Sequence, residues 1–273
     1  MKRAVLFVLM ILIMLMPGTA AFGEKTESRA LVVLGDSIAS GYGLAEYKSG
    51  NNYSAPLSFG NMLGSEFESY RNFAVDGRTS RQLLDALNTP SEALKETVSE
   101  ANVIIISIGG NDFLQPMISA VKSAAVGDLE LIAAIIKGEF KTEMLGEYSQ
   151  RILNAALDAG KKVDVDRTAE NIERCVSIIS KLNPNAEIIL MTVYDPFSGN
   201  VLLKAASDAA KERLLILNAK ITALEGENVK VIDVYSAFEG NAAEYTNINR
   251  LDIHPNSKGH YRIYELIKEE IDT

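Results

Sequence analysis

Leu31-Val32-Val33-Leu34-Gly35-Asp36-Ser37 is the segment that decides the fold. Its unbroken apolar run, Leu31–Leu34, is typical of a β-strand with both faces buried, and the three residues that follow favour a turn. Four later runs of similar composition predict four more strands of the same sheet: Phe73–Val75, Val103–Ile108, Ile188–Val193 and Val229–Val234.

Amphipathic segments separate these predicted strands. Strands that alternate with helices favour a parallel, doubly wound α/β sheet, whose sites form beyond the carboxyl ends of the strands. The polar residues after each strand are therefore the candidates for chemistry. Apolar residues recur at helical spacing in five segments: Leu57–Phe67, Arg81–Leu87, Ile172–Leu182, Leu214–Leu224 and Tyr261–Ile271.

An insertion interrupts the alternation after the third strand. It holds about fifty residues, more than an unstructured loop usually contains. We interpret residues 114–166, approximately, as a helical cap inserted into one domain that covers residues 24–273. Two apolar faces support helices there, and we expect breaks at Gly138 and Gly146. The faces consist of Leu129, Ile132, Ile135 and Ile136, and then of Leu145, Tyr148, Ile152, Leu153 and Ala156.

The N-terminus has the pattern of an export signal. Lys2 and Arg3 precede the apolar run Ala4–Met16, and small residues follow as far as Gly23. The run is shorter than the roughly 20 residues that span a bilayer and fits the apolar core of a signal peptide. We predict that residues 1–23 are removed and that the mature protein is secreted or extracytoplasmic. An uncleaved membrane anchor is the alternative.

Composition and charge limit the partners. The chain has 273 residues, of which 47% are hydrophobic and 23% charged, as in a globular protein. Loss of Lys2 and Arg3 with the signal would change the formal charge from −9 to −11. An acidic surface repels nucleic acid and anionic headgroups, so we predict neither as a partner and no stable membrane insertion of the mature chain.

Four polar blocks carry the strongest signal. Each block alone is most often only a turn, but all four in this order, at the ends of predicted strands or before the last helix, form a specific pattern. The blocks are Gly35-Asp36-Ser37-Ile38 with Gly41 and Gly43; Asp76-Gly77-Arg78-Thr79-Ser80; Gly109-Gly110-Asn111-Asp112; and Asp252-Ile253-His254-Pro255-Asn256 with Gly259.

This arrangement resembles the SGNH hydrolases, also called GDSL lipases and acylhydrolases, over most of residues 30–271 except the inserted cap. The resemblance implies a flavodoxin-like three-layer α/β/α sandwich with a five-stranded parallel sheet. It also implies that Ser37 is the nucleophile and His254 the general base. The oxyanion hole would be formed by the Ser37 N–H, the Gly77 N–H and the side-chain amide of Asn111.

The choice of base also follows from the residues themselves. A serine hydroxyl is a weak nucleophile without a base, and only two histidines are available. His260 lies inside the last helical segment, where we expect it to cap or pack. His254 precedes Pro255 in a turn at the carboxyl edge of the sheet, so placement favours it. Asn111 has an alternative interpretation as part of an Asn-Asp turn without function.

Two positions depart from the family pattern. The aspartate that orients the base usually lies three residues before it, where this chain has Leu251, whereas Asp252 lies two before it. Either Asp252 reaches the far ring nitrogen of His254, which we favour, or a backbone carbonyl such as that of Leu251 accepts that N–H and the enzyme is a dyad. Ile38 replaces the leucine of the name motif and should face the core.

Rival sites have little support. No Gly-x-Ser-x-Gly elbow, P-loop or Gly-x-Gly-x-x-Gly motif is present, and two histidines with one cysteine do not make a zinc site. Cys175 lies on an apolar helix face and is expected in the core. Asp36, Asp76 and Asp112 could converge on a hard cation, a minor alternative. We therefore predict neither a cofactor nor a metal.

The predicted function is that of a secreted serine esterase or lipase that hydrolyses a carboxylic ester of a small molecule, lipid or glycan through an acyl-enzyme on Ser37. The alternative is an acyl (O-acetyl) transferase, or a non-catalytic binding module for cell-surface glycans, on the same scaffold. The inserted helices, with Ile132 and Ile136, are expected to cover the acyl side of the site. Packing of these helices only on each other and on the sheet is an equal alternative.

Overall fold

The structure is a computed structural model that describes residues 29–48, 55–126, 142–199, 204–250 and 252–271. No helix within these ranges is long and apolar enough to cross a bilayer. The predicted signal peptide, residues 1–23, lies outside them. So do several residues of the predicted cap: Leu129, Ile132, Ile135, Ile136 and Gly138.

Five parallel strands form one sheet in the order β2-β1-β3-β4-β5, which is the flavodoxin-like order and confirms the predicted fold class. The order reverses between β1 and β3, so their carboxyl ends open onto the crevice where such sheets place ligands. The strands are β1 Ala30–Gly35, β2 Ser69–Asn72, β3 Val103–Ser107, β4 Glu187–Met191 and β5 Val229–Ile232.

The second strand was predicted at the wrong residues. It spans Ser69–Asn72, and Phe73–Val75 follow it. β2 pairs only with β1 at the edge of the sheet, where exposed and half-buried positions alternate and no continuous apolar run is required. Phe73 and Val75 still donate backbone hydrogen bonds to Val33 and Gly35, so this segment continues alongside β1.

Helices cover both faces of the sheet and complete the predicted three-layer sandwich. Each of the five predicted helical segments is present with shifted ends, while α4 was missed because it buries only Leu94 and Val98. The described helices are α1 Ser37–Ser40, α2 Phe59–Gly64, α3 Ser80–Asn88, α4 Glu92–Glu100, α5 Gly110–Val126, α6 Thr142–Lys161, α7 Val165–Leu182, α8 Lys204–Thr222, α9 Val234–Phe238, α10 Ala242–Tyr245 and α11 Ser257–Ile271, with a 3-10 turn at Ile248–Arg250.

Alternation along the strands divides the core in two. Val32 and Leu34 of β1 face the layer formed by α3, α4, α7 and α8. Leu31 and Val33 face the layer of α2, α9 and α11. Because both faces of β1 are covered by helices, all four residues are buried and the strand reads as a continuous apolar run.

The predicted insertion contributes α5 and α6, which pack against each other, and α6 also packs against α8. α5 already begins at Gly110, directly after β3. On α6, Ile152 and Ala156 are half-buried but Leu153 is exposed, so the predicted apolar face is only partly covered. The side chains of Leu145 and Tyr148 lie outside the described part of α6.

Gly35 lets the carboxyl ends of β1 and β3 approach closely. Its φ of +148° is unfavourable for residues with a side chain, and a Cβ there would lie 2.1 Å from the carbonyl oxygen of Ser107. Directly after it, the Asp36 N–H donates to the same oxygen at 3.2 Å. The two strand ends are therefore fixed against each other immediately before Ser37.

Candidate active site

Ser37 is the first residue of α1, immediately beyond β1, and is 8% exposed. Asp36 caps this short helix by accepting the Ile38 N–H at 3.0 Å. Within the described ranges, no group accepts a hydrogen bond from the Ser37 N–H. The hydroxyl and the amide of Ser37 thus lie together at the carboxyl edge of the sheet, where the strand order reverses.

The structure brings Ser37, His254 and Asp252 together. His254 Nε2 lies 2.9 Å from Ser37 Oγ, and its Nδ1 lies 2.5 Å from Asp252 Oδ1. The same Asp252 oxygen accepts the His254 backbone N–H at 3.0 Å, which orients a carboxylate two residues before the histidine toward the ring. Leu251, whose carbonyl was the alternative partner, lies outside the described residues.

This geometry favours one tautomer of His254. If Nδ1 carries the proton and donates it to Asp252, Nε2 presents its lone pair to the Ser37 hydroxyl. His254 can then accept the hydroxyl proton, and the neighbouring carboxylate stabilises the resulting imidazolium. Such an arrangement activates a serine for attack on a carbonyl carbon.

Three contacts hold the His254 loop. The Tyr194 hydroxyl, beyond β4, donates to the Ile253 carbonyl at 2.7 Å, and the Asn247 N–H donates to the His254 carbonyl at 2.9 Å. The Tyr42 ring lies 4.5 Å from the His254 ring, centroid to centroid. These contacts restrict the imidazole from the sheet side, from its own loop and from the segment after Ser37.

Sequence reasoning missed these supporting residues, although signals for two of them were present. Tyr194 follows the predicted fourth strand, and polar residues that follow a strand are the candidates for chemistry in such a sheet. Tyr42 is an aromatic residue between Gly41 and Gly43 of the first block. Asn247 carries no comparable signal, because its role depends on how the loop before α11 folds back.

Gly77 lies in the turn after β2 with φ +73°, a conformation that favours glycine. A Cβ there would meet no atom within 4 Å, so backbone conformation rather than lack of space explains the residue. Its carbonyl accepts the Gln115 side-chain amide at 2.6 Å, and no described group accepts its N–H. Unlike Ser37 and Asn111, Gly77 does not line the cleft that opens beside Ser37.

Asn111 is buried in the first turn of α5 and connects three of the predicted blocks. Its side-chain amide donates to Asp36 Oδ2 at 3.2 Å and to the Arg78 carbonyl at 3.1 Å. Both amide hydrogens therefore have acceptors in the protein. To bind an oxyanion, this amide would have to share or exchange one of them.

Asp36 is fully buried beside Asn111. The pKa of Asp36 is raised to about 7, chiefly by burial and in part by the nearby charge of Asp112, while hydrogen bonds from Ile38 and Asn111 oppose the shift. Asp112 itself accepts the Ser80 N–H and hydroxyl at 2.9 and 2.7 Å. Asp36 is thus an acid close to the nucleophile whose charge depends on pH near neutrality.

The three aspartates do not form a cation site. Asp76 accepts hydrogen bonds from the hydroxyls of Ser40 and Tyr47, whereas Asp112 is bound to Ser80. Among the described residues, no group of three or more His, Cys, Asp or Glu side chains could hold a metal ion.

His260 and Cys175 have the structural roles expected from the sequence. His260 is completely buried on α11, where its Nδ1 accepts the Phe59 N–H at 3.4 Å. Burial, and then the neighbouring His254, lowers the pKa of His260 to about 3, so it stays neutral. Cys175 is buried in the core, and burial raises the pKa of its thiol to about 12, which makes it a poor nucleophile at neutral pH.

A cleft opens at Ser37, Asn111 and His254. The walls beyond the polar residues are mostly apolar and come from α5, from the segment after β4 and from α8: Phe113, Leu114, Met117, Val193, Pro196, Phe197, Ala210 and Leu214. Ile38, expected in the core, is half-buried: it packs on the core and also lines this cleft.

Comparison with known proteins identifies one family that matches most of the chain. The model of the GDSL-like Lipase/Acylhydrolase family matches residues 33–262. A curated relative, "Uncharacterized protein YpmR" of Bacillus subtilis (strain 168), is 21% identical and aligns over 92% of this chain and 86% of its own length.

Solved structures share the fold. The lipase Lip_vut3 from a goat rumen metagenome is 21% identical with a TM-score of 0.59, over 88% of this chain and 96% of its own. Axe2, an acetylxylan esterase from Geobacillus stearothermophilus, is 18% identical with a TM-score of 0.53, over 90% of this chain and 94% of its own. At these identities the likeness establishes the fold, which both a lipase and an acetylxylan esterase use.

Asp252→Asn should lower turnover by up to about ten-thousand-fold, because an amide cannot stabilise the imidazolium and favours the wrong tautomer. Turnover of a p-nitrophenyl ester, measured from pH 5 to 9, tests this. Glu244→Gln, an exposed acid near the same loop, should leave turnover unchanged. A loss of less than about tenfold across the profile would show that Asp252 does not orient His254.

Asp36→Asn should flatten the pH dependence of stability. The pKa of Asp36 is raised in the folded protein, so its stabilising contribution is complete below about pH 4 and is lost as the pH rises through about 7. Relative to the variant, the wild-type free energy of unfolding should fall by roughly 2–4 kcal/mol over this range. Urea unfolding at pH 4.5 and 8 measures the difference. The exposed Asp85→Asn should keep the wild-type slope, and a wild-type slope in Asp36→Asn would contradict the assignment.

Proposed function

The chain belongs to the GDSL-like lipase/acylhydrolase family and is therefore a carboxylic ester hydrolase; from this premise, we propose that it cleaves its substrate through a covalent acyl-enzyme on Ser37. The observation that supports this most directly is the hydrogen-bonded line from Ser37 through His254 to Asp252. Ser37 and His254 line a cleft whose other walls are mostly apolar. A base, a nucleophile and an orienting acid in this relation are what acyl transfer to serine requires.

In the proposed first half-reaction, His254 Nε2 takes the hydroxyl proton as Ser37 Oγ attacks the ester carbonyl carbon. The tetrahedral intermediate collapses when His254 returns that proton to the leaving alcohol oxygen and the ester C–O bond breaks. In the second half-reaction, water loses a proton to His254 and attacks the acyl-serine. The acid product leaves, and the proton returns to Ser37.

The oxyanion that forms in each half-reaction needs donors that are fixed before charge develops. We assign this role to the N–H groups of Ser37 and Gly77 and to the Asn111 amide. Two strand-end contacts, to Asp36 and to Arg78, hold the Asn111 amide in place. As the oxyanion forms, it would compete for one of these two amide hydrogens.

Ser37→Ala should abolish both turnover and covalent labelling by a fluorophosphonate. Loss of a triad serine costs about a millionfold in turnover, although the background reaction limits what can be measured. Ser99→Ala, an exposed serine of α4, should behave as wild type. Mass spectrometry of the labelled protein should place the adduct on the peptide that contains Ser37, and near-normal turnover of Ser37→Ala would overturn the mechanism.

The same preparation separates hydrolysis from acyl transfer. With an alcohol present as an additional acceptor, we expect free acid as the main product. If the ester of the added alcohol is the main product instead of free acid, the protein is an acyl transferase.

We also propose that the protein acts outside the cytoplasm. The proposal is supported by the basic pair Lys2-Arg3, the apolar run Ala4–Met16 and the small residues up to Gly23. The protein recovered from the culture medium or the cell surface should begin near Gly23 when its N-terminus is sequenced. Recovery only in the membrane fraction with the first 23 residues intact would identify an anchor instead.

A further inference from the structure

The cleft at Ser37 has a polar part and an apolar part. Ser37, Asn111 and His254 line the polar part. Apolar side chains of α5, of α8 and of the segment after β4 form the rest. Of these side chains, Leu114, Met117 and Phe197 are half-buried, whereas Phe113, Ala210 and Leu214 are buried, and we call these last three the floor of the cleft.

The polar groups of Asp195 and Tyr194, which also line the cleft, already have partners. Asp195 is 4% exposed, and its two oxygens accept the Phe197 N–H at 2.9 Å and the Ser207 hydroxyl at 2.5 Å. The Tyr194 hydroxyl donates a hydrogen bond to the Ile253 carbonyl. A sugar placed here would leave its hydroxyl groups without strong partners, which is unfavourable in a buried site. An aliphatic chain has no such requirement.

The attack constrains how the ester lies. The carbonyl oxygen must face the donors of Ser37 and Asn111, and the leaving oxygen must face His254 Nε2. In that orientation the alcohol would lie on the side of His254, whose ring contacts the exposed Tyr42, and the acyl chain would be left to contact Phe113 and Leu114 of α5.

We propose that this cleft binds an aliphatic acyl chain longer than acetyl, and that Ala210 of α8 determines how long a chain fits. The proposal rests on Ser37 as the acyl-bearing residue. Ala210 has the smallest side chain among the apolar residues of the floor, so it leaves room where a larger residue would fill the cleft. Met117 of α5 also lines the cleft, so we expect its side chain to occupy part of the same space.

Each methylene buried in an apolar cleft increases transition-state binding by about fourfold. On p-nitrophenyl esters of C2 to C12 acids, kcat/KM should therefore rise with chain length until the floor is reached. Ala210→Leu should lower kcat/KM for the best long-chain ester by about ten- to a hundredfold and should lower kcat/KM for the acetate ester far less. Met117→Ala should move the optimum to longer chains.

Ala219→Leu provides the matched control, because it makes the same change at an exposed position of the same helix and should keep the wild-type profile. If Ala210→Leu does not fold, Met117→Ala decides alone, and an optimum that stays at the wild-type length overturns the proposal. A flat wild-type profile also overturns it. So does a chain-length dependence that appears only in acetate esters of longer alcohols, since the cleft would then bind the alcohol.

Failure of this inference differs from failure of the proposed function. A wild-type enzyme that is labelled at Ser37 and hydrolyses the acetate ester, but shows no chain-length dependence, keeps its mechanism and loses only the acyl cleft. An enzyme that is neither labelled nor active on any ester of the series overturns the mechanism and, with it, the inference built on it.

Discussion

The Asn111 side chain ties together the carboxyl ends of the strands that make the site. Its amide reaches Asp36 after β1 and the Arg78 carbonyl after β2, while its own helix begins just beyond β3. The close approach of Gly35 to Ser107 fixes β1 and β3 at the same place. The position of Ser37 therefore depends on three strand ends rather than on its own short helix, which has only four residues.

The base reaches this site from the far end of the sequence, so its position needs separate support. The last loop is held by Tyr194 from the end of β4 and by Asn247 from its own fold-back. Below the loop, α11 buries His260 as a neutral ring against Phe59. A charge on that ring would lie near His254 and disfavour the imidazolium on which the proposed mechanism relies, so burial of His260 also protects the chemistry.

The sequence predicts the central strands well because burial on both faces leaves a continuous apolar run, as in Leu31–Leu34. It fails at β2, since an edge strand can be polar, and at α4, which buries only two apolar side chains. Ser37 could be singled out because it follows a predicted strand in a parallel sheet. His254 and Asp252 follow no strand, and they were found through the resemblance to the SGNH hydrolases and because the chain has only two histidines. That Asp252 reaches His254 from two residues away depends on a local turn, which residue spacing does not reveal. The residues that line the cleft could not be predicted either, because α5 and α8 come to the same cleft through packing between helices that are far apart in the chain.

Construction of the site buries two ionisable groups whose effects on stability oppose each other. Asp36 favours the folded state in its protonated form, and this contribution fades as the pH rises from about 4 to about 7. The pKa of His260 is lowered to about 3, so its contribution is complete above its ordinary value near 6.5 and is lost as the pH falls toward 3. Between pH 4 and 6.5 the two slopes partly cancel, and the net pH dependence of folding is smaller than either group alone would produce. Burial of Asp36 beside the nucleophile thus lowers the free energy of unfolding at high pH, and burial of His260 beneath the base lowers it at low pH.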